Sequence, residues 1–320
     1  MLRKIVENLT IIILLQPLLY AELTYGIHVL SIDYHPSWRK LSLENCGTRR
    51  FNGSGKSPIA AMGEYPWFVR LGYLTITKSS KYSKKTTQLN FRCIGSIISD
   101  WFILTAAHCV VSLPPNMRLN RIRVGDYNLV TNPDCEGAEC NDPYVDHQIA
   151  KVIAHEKFNG PVKLQHDIAL VMVTEPIEFT DWVRPICLPR GSMLGRDFIR
   201  DTIEVSGWAE YHKKNREMSD TLLKAVVSII KPENCNYQRM KIDGKNQYCV
   251  GGGKNRRDAC LGDSGGPLMK FTKTSEQDVE PRFYNLGIVS FGPGNCGAST
   301  QSVVYTRTAS YISWILNNLY

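Results

Sequence analysis

Gly262-Asp263-Ser264-Gly265-Gly266-Pro267 is the stretch that decides how this 320-residue chain is read. A serine between glycines lets backbone N–H groups approach a reacting carbonyl closely, because no side chain crowds the approach. A serine hydroxyl alone is a weak nucleophile. It requires a base within hydrogen-bond reach and a third group that orients the base. Both requirements are met elsewhere in the chain. Thr105-Ala106-Ala107-His108-Cys109 offers the base. His166-Asp167-Ile168-Ala169-Leu170 offers a carboxylate placed before an apolar run that would bury it. The three segments occur in the order His, Asp, Ser.

At these residues the chain resembles the chymotrypsin/trypsin family of serine endopeptidases, over roughly residues 46–320. The resemblance implies an all-β fold of two packed six-stranded antiparallel β-barrels with a C-terminal helix. It implies peptide-bond hydrolysis in which Ser264 attacks, His108 shuttles the proton and Asp167 holds the imidazole. The backbone N–H groups of Gly262 and Ser264 would form the oxyanion hole. Asp258, six residues before the nucleophile, would floor the specificity pocket and select Arg or Lys. Ser290-Phe291-Gly292 resembles the segment that pairs with substrate backbone, with Phe291 for the usual Trp. Gly292 would keep the pocket mouth open. Val303 stands where the family has a glycine on the far pocket wall, so a branched side chain is expected to narrow the pocket.

Composition sets the wider limits. A chain this long and 43% hydrophobic can bury one large core or two small ones. Residues 1–21 read as a secretory signal: Arg3 and Lys4 make a basic start, and Ile11 to Tyr20 is mostly apolar. That run is too short for stable membrane insertion, although a signal anchor stays open. Ten cysteines behind such a start imply disulfides and an extracellular destination. Spacing alone does not pair them. The family resemblance implies Cys93–Cys109, Cys235–Cys249, Cys260–Cys296 and Cys46–Cys187. Cys135 and Cys140 lie close enough in sequence to close a small loop. The net charge is +8, with basic clusters at residues 78–85, 212–216 and 254–257 that read as solvated loops. No nucleic-acid motif accompanies them.

Along the chain, residues 22–50 form a short propeptide or light chain and residues 51–320 the protease domain. Short apolar runs with Gly, Pro and Asn punctuation predict strands. They fall at 68–74, 94–104, 148–155, 168–173, 202–207, 223–229, 267–271, 286–291 and 302–306. Ile312, Ile315 and Leu319 recur at helical spacing, which predicts a terminal amphipathic helix docked on the second barrel. Residues 75–89 and 210–219 read as exposed polar loops.

The resemblance also implies a zymogen. Cutting after Arg50 would free Phe51 to pair with Asp263, although the family's usual new terminus is Ile. Asn52-Gly53-Ser54 is a glycosylation sequon, and a glycan there would oppose insertion. Gly125-Asp126-Tyr127-Asn128-Leu129 and the loop closed by Cys135 and Cys140 resemble arthropod clip-domain proteases. Residues 22–45 hold no cysteine, so the six-cysteine clip module is not expected there. Asp126, Glu136, Glu139 and Asp142 form either a solvated acidic loop or a Ca²⁺ site. No cofactor is required. The expected partners are a protein substrate, an activating protease and a serpin-type inhibitor, acting on a monomer.

Overall fold

The computed structural model describes residues 32–51, 57–77, 85–160, 164–208, 219–235, 242–251, 264–274, 280–292 and 302–320. Fourteen strands occur among them. The first barrel uses β1 (Phe68–Thr77), β2 (Thr86–Ile97), β3 (Phe102–Thr105) and β4 (Met117–Val124). A small hairpin of β5 (Cys135–Glu136) and β6 (Glu139–Cys140) follows, and β7 (Val145–Ala154) and β8 (Ala169–Val173) complete the barrel. The second barrel uses β9 (Thr202–Gly207), β10 (Leu223–Ile230), β11 (Gln247–Gly251), β12 (Pro267–Thr272), β13 (Arg282–Phe291) and β14 (Ser302–Arg307). Each barrel closes on six strands, in the orders β1-β2-β3-β8-β7-β4 and β10-β11-β14-β13-β12-β9. All the strand pairs are antiparallel, as expected.

The expected 94–104 strand is two strands, since Ser99, Asp100 and Trp101 make a turn between β2 and β3. Ser99 Oγ accepts from the N–H groups of Trp101 and Phe102 and fixes that turn. The expected exposed loop at 75–89 is shorter than its composition suggests, because β1 continues to Thr77 and β2 starts at Thr86.

Trp67 ties the barrels together. Its ring is fully buried, sits 5.2 Å from the Phe283 ring of the second barrel, and donates Nε1–H to Met269 Sδ at 3.2 Å. Complete burial of one such side chain contributes about 2–3 kcal/mol. Asn285, also fully buried, crosses the same seam to Ser96 Oγ.

The terminal helix spans Ile312–Asn317 after a 3₁₀ turn at Thr308–Tyr311. Its apolar face joins the core that contains barrel one, and Tyr320 meets the Phe102 ring. Docking on the second barrel, as the sequence suggests, is therefore corrected. The turn after β14 carries the chain back across the seam, with Thr308 Oγ1 donating to Asn285 Oδ1. The segment before Arg50 packs on this helix: Trp38 and Leu41 are buried, and Lys40 Nζ donates to the Leu319 carbonyl. Cys46–Cys187, Cys93–Cys109, Cys135–Cys140 and Cys235–Cys249 are the disulfides among the described residues. They agree with four of the expected pairs. The fifth, Cys260–Cys296, lies outside the described residues.

Candidate active site

Antiparallel pairing of β3 with β8 sets Thr105 opposite Ala169. Residues just after β3 and just before β8 therefore emerge at the same end of barrel one. His108 sits there in a single 3₁₀ turn, Ala107–Cys109, pinned to β2 by Cys93–Cys109. Asp167 emerges opposite it. The Asp167 carboxylate is fully buried and has three donors. Oδ1 accepts the His108 backbone N–H at 2.9 Å. Oδ2 lies 2.7 Å from His108 Nδ1 and accepts Ser290 Oγ–H at 2.5 Å. Thr306 Oγ1 donates to the Asp167 carbonyl, fixing the backbone as well. With this many acceptors occupied, the imidazole is held in one plane and only partly exposed.

Ser264 arrives from the second barrel. Its carbonyl accepts the Ile94 N–H at 2.9 Å, and Gly265 N–H donates to the Val289 carbonyl at 2.9 Å. The Cys109 sulfur lies 3.6 Å from His108 Nε2 and 3.7 Å from the Ser264 carbonyl oxygen, so one disulfide touches both sides of the cleft. Gly265 has φ +85°, and a Cβ there would strike Thr105 Oγ1 and the Ile94 carbonyl. Only glycine satisfies both the left-handed backbone and the close approach. The structure thus joins His108, Asp167 and Ser290 by hydrogen bonds and sets the Ser264 main chain beside the Cys93–Cys109 disulfide next to them.

Gly292, just after β13, and Val303 on the neighbouring strand β14 lie against each other. A Cβ built on Gly292 would meet the two Val303 methyls at 3.0 and 3.2 Å, and Val303 itself is buried. The valine occupies the space that the glycine leaves. Gly262, Asp263, Asp258 and the Asn52 sequon lie outside the described residues.

The Arg49–Arg50 pair ahead of Phe51 is engaged on both side chains. Arg50 donates to Asp181 Oδ2 at 2.6 Å and to Glu139 Oε1 at 2.7 Å, and its guanidinium lies 4.6 Å from the Trp182 ring centroid. Phe51 packs on the same tryptophan. Arg49 lies over Phe271 and Phe283 and faces Glu64 at 3.7 Å. Sequence reasoning missed Glu139, Asp181, Glu64 and Trp182 in this role. They lie far along the chain from the arginines, and no local pattern marks them.

Asp126 and Glu136, the possible calcium ligands, are both engaged by protein groups. Asp126 Oδ2 accepts from Arg70 at 2.6 Å and lies 3.7 Å from Arg123. Burial pushes the Asp126 carboxyl up, and the two arginines partly offset that shift. Glu136 Oε1 accepts Tyr127 O–H and the Met62 N–H. The two guanidiniums supply positive charge at Asp126 Oδ2.

Comparison with known proteins accords with this geometry. Residues 60–315 match the Trypsin family. The chain is 36% identical over 262 residues to a CLIP domain-containing serine protease HP8 of Bombyx mori, covering 80% of this chain and 66% of that protein. It is 32% identical over 280 residues to CLIP domain-containing serine protease B4 of Anopheles gambiae, covering 86% and 73%. The Spaetzle-processing enzyme of Drosophila melanogaster is 33% identical over 267 residues, 80% of this chain and 64% of its own. The crystal structure of the Drosophila Grass clip serine protease of the Toll pathway aligns with a TM-score of 0.69 at 31% identity, over 85% of this chain and 73% of that one. The chain spans about two thirds of the length of the curated relatives it matches. With two closed antiparallel barrels, a buried His108–Asp167 pair and a family match across most of its length, the chain belongs to the trypsin family of serine proteases.

Proposed function

We propose that this chain is a secreted serine endopeptidase, made as a zymogen, that hydrolyses protein substrates through an acyl-enzyme. The observation that carries the reading is the fully buried Asp167 carboxylate at 2.7 Å from His108 Nδ1. Ser264 Oγ attacks the scissile carbonyl while His108 Nε2 takes its proton. The His108 imidazolium, stabilised by Asp167, then protonates the leaving amine. Water hydrolyses the acyl-enzyme by the same proton path in reverse. The N–H groups of Gly262 and Ser264 hold the oxyanion; each such donor contributes about 3–4 kcal/mol to the transition state. Asp258 selects Arg or Lys, and Val303 limits how deeply that side chain enters. No cofactor takes part in these steps. The names of relatives that process Spaetzle or activate phenoloxidase support, by analogy, a role for the chain in an extracellular cascade of immunity or development. Its partners there are an activating protease and a serpin-type inhibitor, and it acts as a monomer.

A fluorophosphonate tests the chemistry. After cleavage at Arg50, stoichiometric labelling of Ser264 is expected. Labelling that is absent from the cut chain rejects the enzyme. It leaves the second reading, a non-catalytic homologue that binds cascade partners, which the Val303–Gly292 contact favours.

Activation itself is expected to be slow. To enter a processing protease, the 49–51 segment must leave Glu64, Glu139, Asp181 and Trp182. Partly exposed ion pairs contribute about 0.2–1 kcal/mol each. Replacing Glu139→Gln and Asp181→Asn together is therefore expected to speed cutting at Arg50 by roughly two- to thirtyfold. A time course on reducing gels reads this directly, and an unchanged rate would show that these pairs do not hold the site.

A further inference from the structure

Directly behind Asp167 lies a cluster that the proposed mechanism does not use. His155, just after β7, is buried and stacks on His166 with ring centroids 5.0 Å apart and an interplanar angle of 13°. Tyr311 stands edge-on to both rings, at 5.2 and 5.9 Å, and Trp314 lies 5.2 Å from His155. The Tyr311 hydroxyl lies 3.0 Å from His166 Nδ1. His166 is the residue before Asp167. It is held at φ +54°, a left-handed backbone uncommon for a non-glycine residue. Its carbonyl accepts the Ile168 N–H, and the Ile168 carbonyl accepts the His155 N–H. The two histidines are thus joined by main chain on both sides of the catalytic carboxylate.

We propose that His166 is a positioning residue for Asp167, and that its stack on His155 makes triad alignment sensitive to acid. The proposal rests on the endopeptidase reading of the triad.

The physical case begins with His155 Nδ1, which accepts the Lys157 backbone N–H at 3.1 Å. That bond places the ring proton on Nε2 and leaves the imidazole neutral. A second proton would enter at Nδ1, cost this acceptor, and set a cation face to face with another imidazole. Burial holds His155 below the ordinary histidine value, and His166 and Lys157 act in the same direction. Glu156 opposes them: its Oε2 lies 3.8 Å from His155 Nδ1 and also accepts from Trp314 Nε1. The remaining charged groups near the cluster are Asp167 and Asp243, both of which act on Tyr311. Burial raises the Tyr311 hydroxyl well above its usual range, so it stays neutral and can only donate or accept a hydrogen bond.

The sign follows from linkage. A histidine with a depressed folded-state value binds fewer protons than the unfolded chain does. Stability is therefore full above about pH 6.5 and declines as the pH falls below it. Relief comes by separating the rings. His166 then leaves its left-handed position and turns the Asp167 backbone with it.

Two variants test this. His155→Phe keeps a flat ring without a titrating group. His166→Asn keeps a hydrogen-bonding side chain that tolerates the left-handed region. For the chain cut at Arg50, kcat/KM on an Arg peptide is read from pH 8 to pH 5. Each form is normalised to its own pH 8 value. The wild type is expected to fall more steeply than either variant, by up to one unit of slope on a logarithmic plot, because protonation of His155 adds to the loss that all forms share. Each variant is expected to lack that added unit, giving about a tenfold separation one pH unit below the His155 titration. In parallel, the uncut chain's Tm is read over the same range, and the wild type is expected to lose more than His155→Phe on acidification. Superimposed activity profiles overturn the positioning role, and parallel Tm curves overturn the acid response. Failure of every form to turn over peptide or take up fluorophosphonate at any pH removes the endopeptidase reading, and the positioning role with it. The Tm comparison reads the histidine pair without that reading.

Discussion

Asp167→Asn, in the chain cut at Arg50, is expected to lower kcat by about four orders of magnitude while KM moves little. The size follows from the hydrogen bonds around the carboxylate. Oδ1 is committed to the His108 backbone N–H, and Oδ2 serves both His108 Nδ1 and Ser290 Oγ. An amide can accept on one side only. If it keeps the backbone bond, its NH₂ faces the imidazole, and His108 must put its lone pair at Nδ1 and its proton at Nε2. The nitrogen that should accept the Ser264 proton is then already protonated. The side chain is nearly isosteric, so the fold should persist, and near-UV circular dichroism would show that it does. A loss of less than tenfold would remove Asp167 from this role.

Val303→Gly is expected to act in the opposite direction, raising kcat/KM on Arg peptides by roughly ten- to a hundredfold, or about 1.4–2.8 kcal/mol of transition-state binding. Val303 is buried against Gly292 at the paired ends of β13 and β14, where the proposed specificity pocket would receive a substrate side chain. Removing its three side-chain carbons opens that space. The same deletion weakens the core of the second barrel, of which Val303 is part, by about 2 kcal/mol. A lower Tm together with a faster enzyme is therefore the expected pair of results. Equal rates for the two proteins on Arg peptides would sink the idea that this side chain limits the pocket.

What could be read from the sequence was what lies in short, continuous text. The residues around His108, Asp167 and Ser264 carry their chemistry in five or six consecutive positions, and the structure pairs His108 with Asp167 and sets the Ser264 main chain nearby. The strands from Thr202 to Gly207 and from Leu223 onward fall where alternating apolar residues place them. β4 was illegible because Met117-Arg118-Leu119-Asn120-Arg121-Ile122-Arg123-Val124 carries three arginines. Two of these are neutralised by Asp146, which is visible only once β4 pairs with β7. β11 was illegible for a different reason: its five residues are too few to show a period. The clamp on Arg50 depends on residues 89 and 131 positions away, so no window along the chain contains it. The docking of the terminal helix depends on the path of the turn after β14, which hydrophobic spacing does not encode.

One consequence of the Cys46–Cys187 bond concerns the unfolded chain. Before processing, it closes a ring across a sequence separation of 141 residues, and that ring includes Arg50 and the whole of barrel one. In a chain-entropy account such a closure restricts the denatured ensemble by roughly 5 kcal/mol. A cut at Arg50 falls inside the ring and opens it. The bridge then only tethers a short light chain, and the denatured ensemble regains the freedom that the closure had withheld. The mature form thus begins with a smaller thermodynamic margin than its precursor. In the proposed zymogen, seating of Phe51 would therefore bear on the stability of the cut chain as well as on its activity.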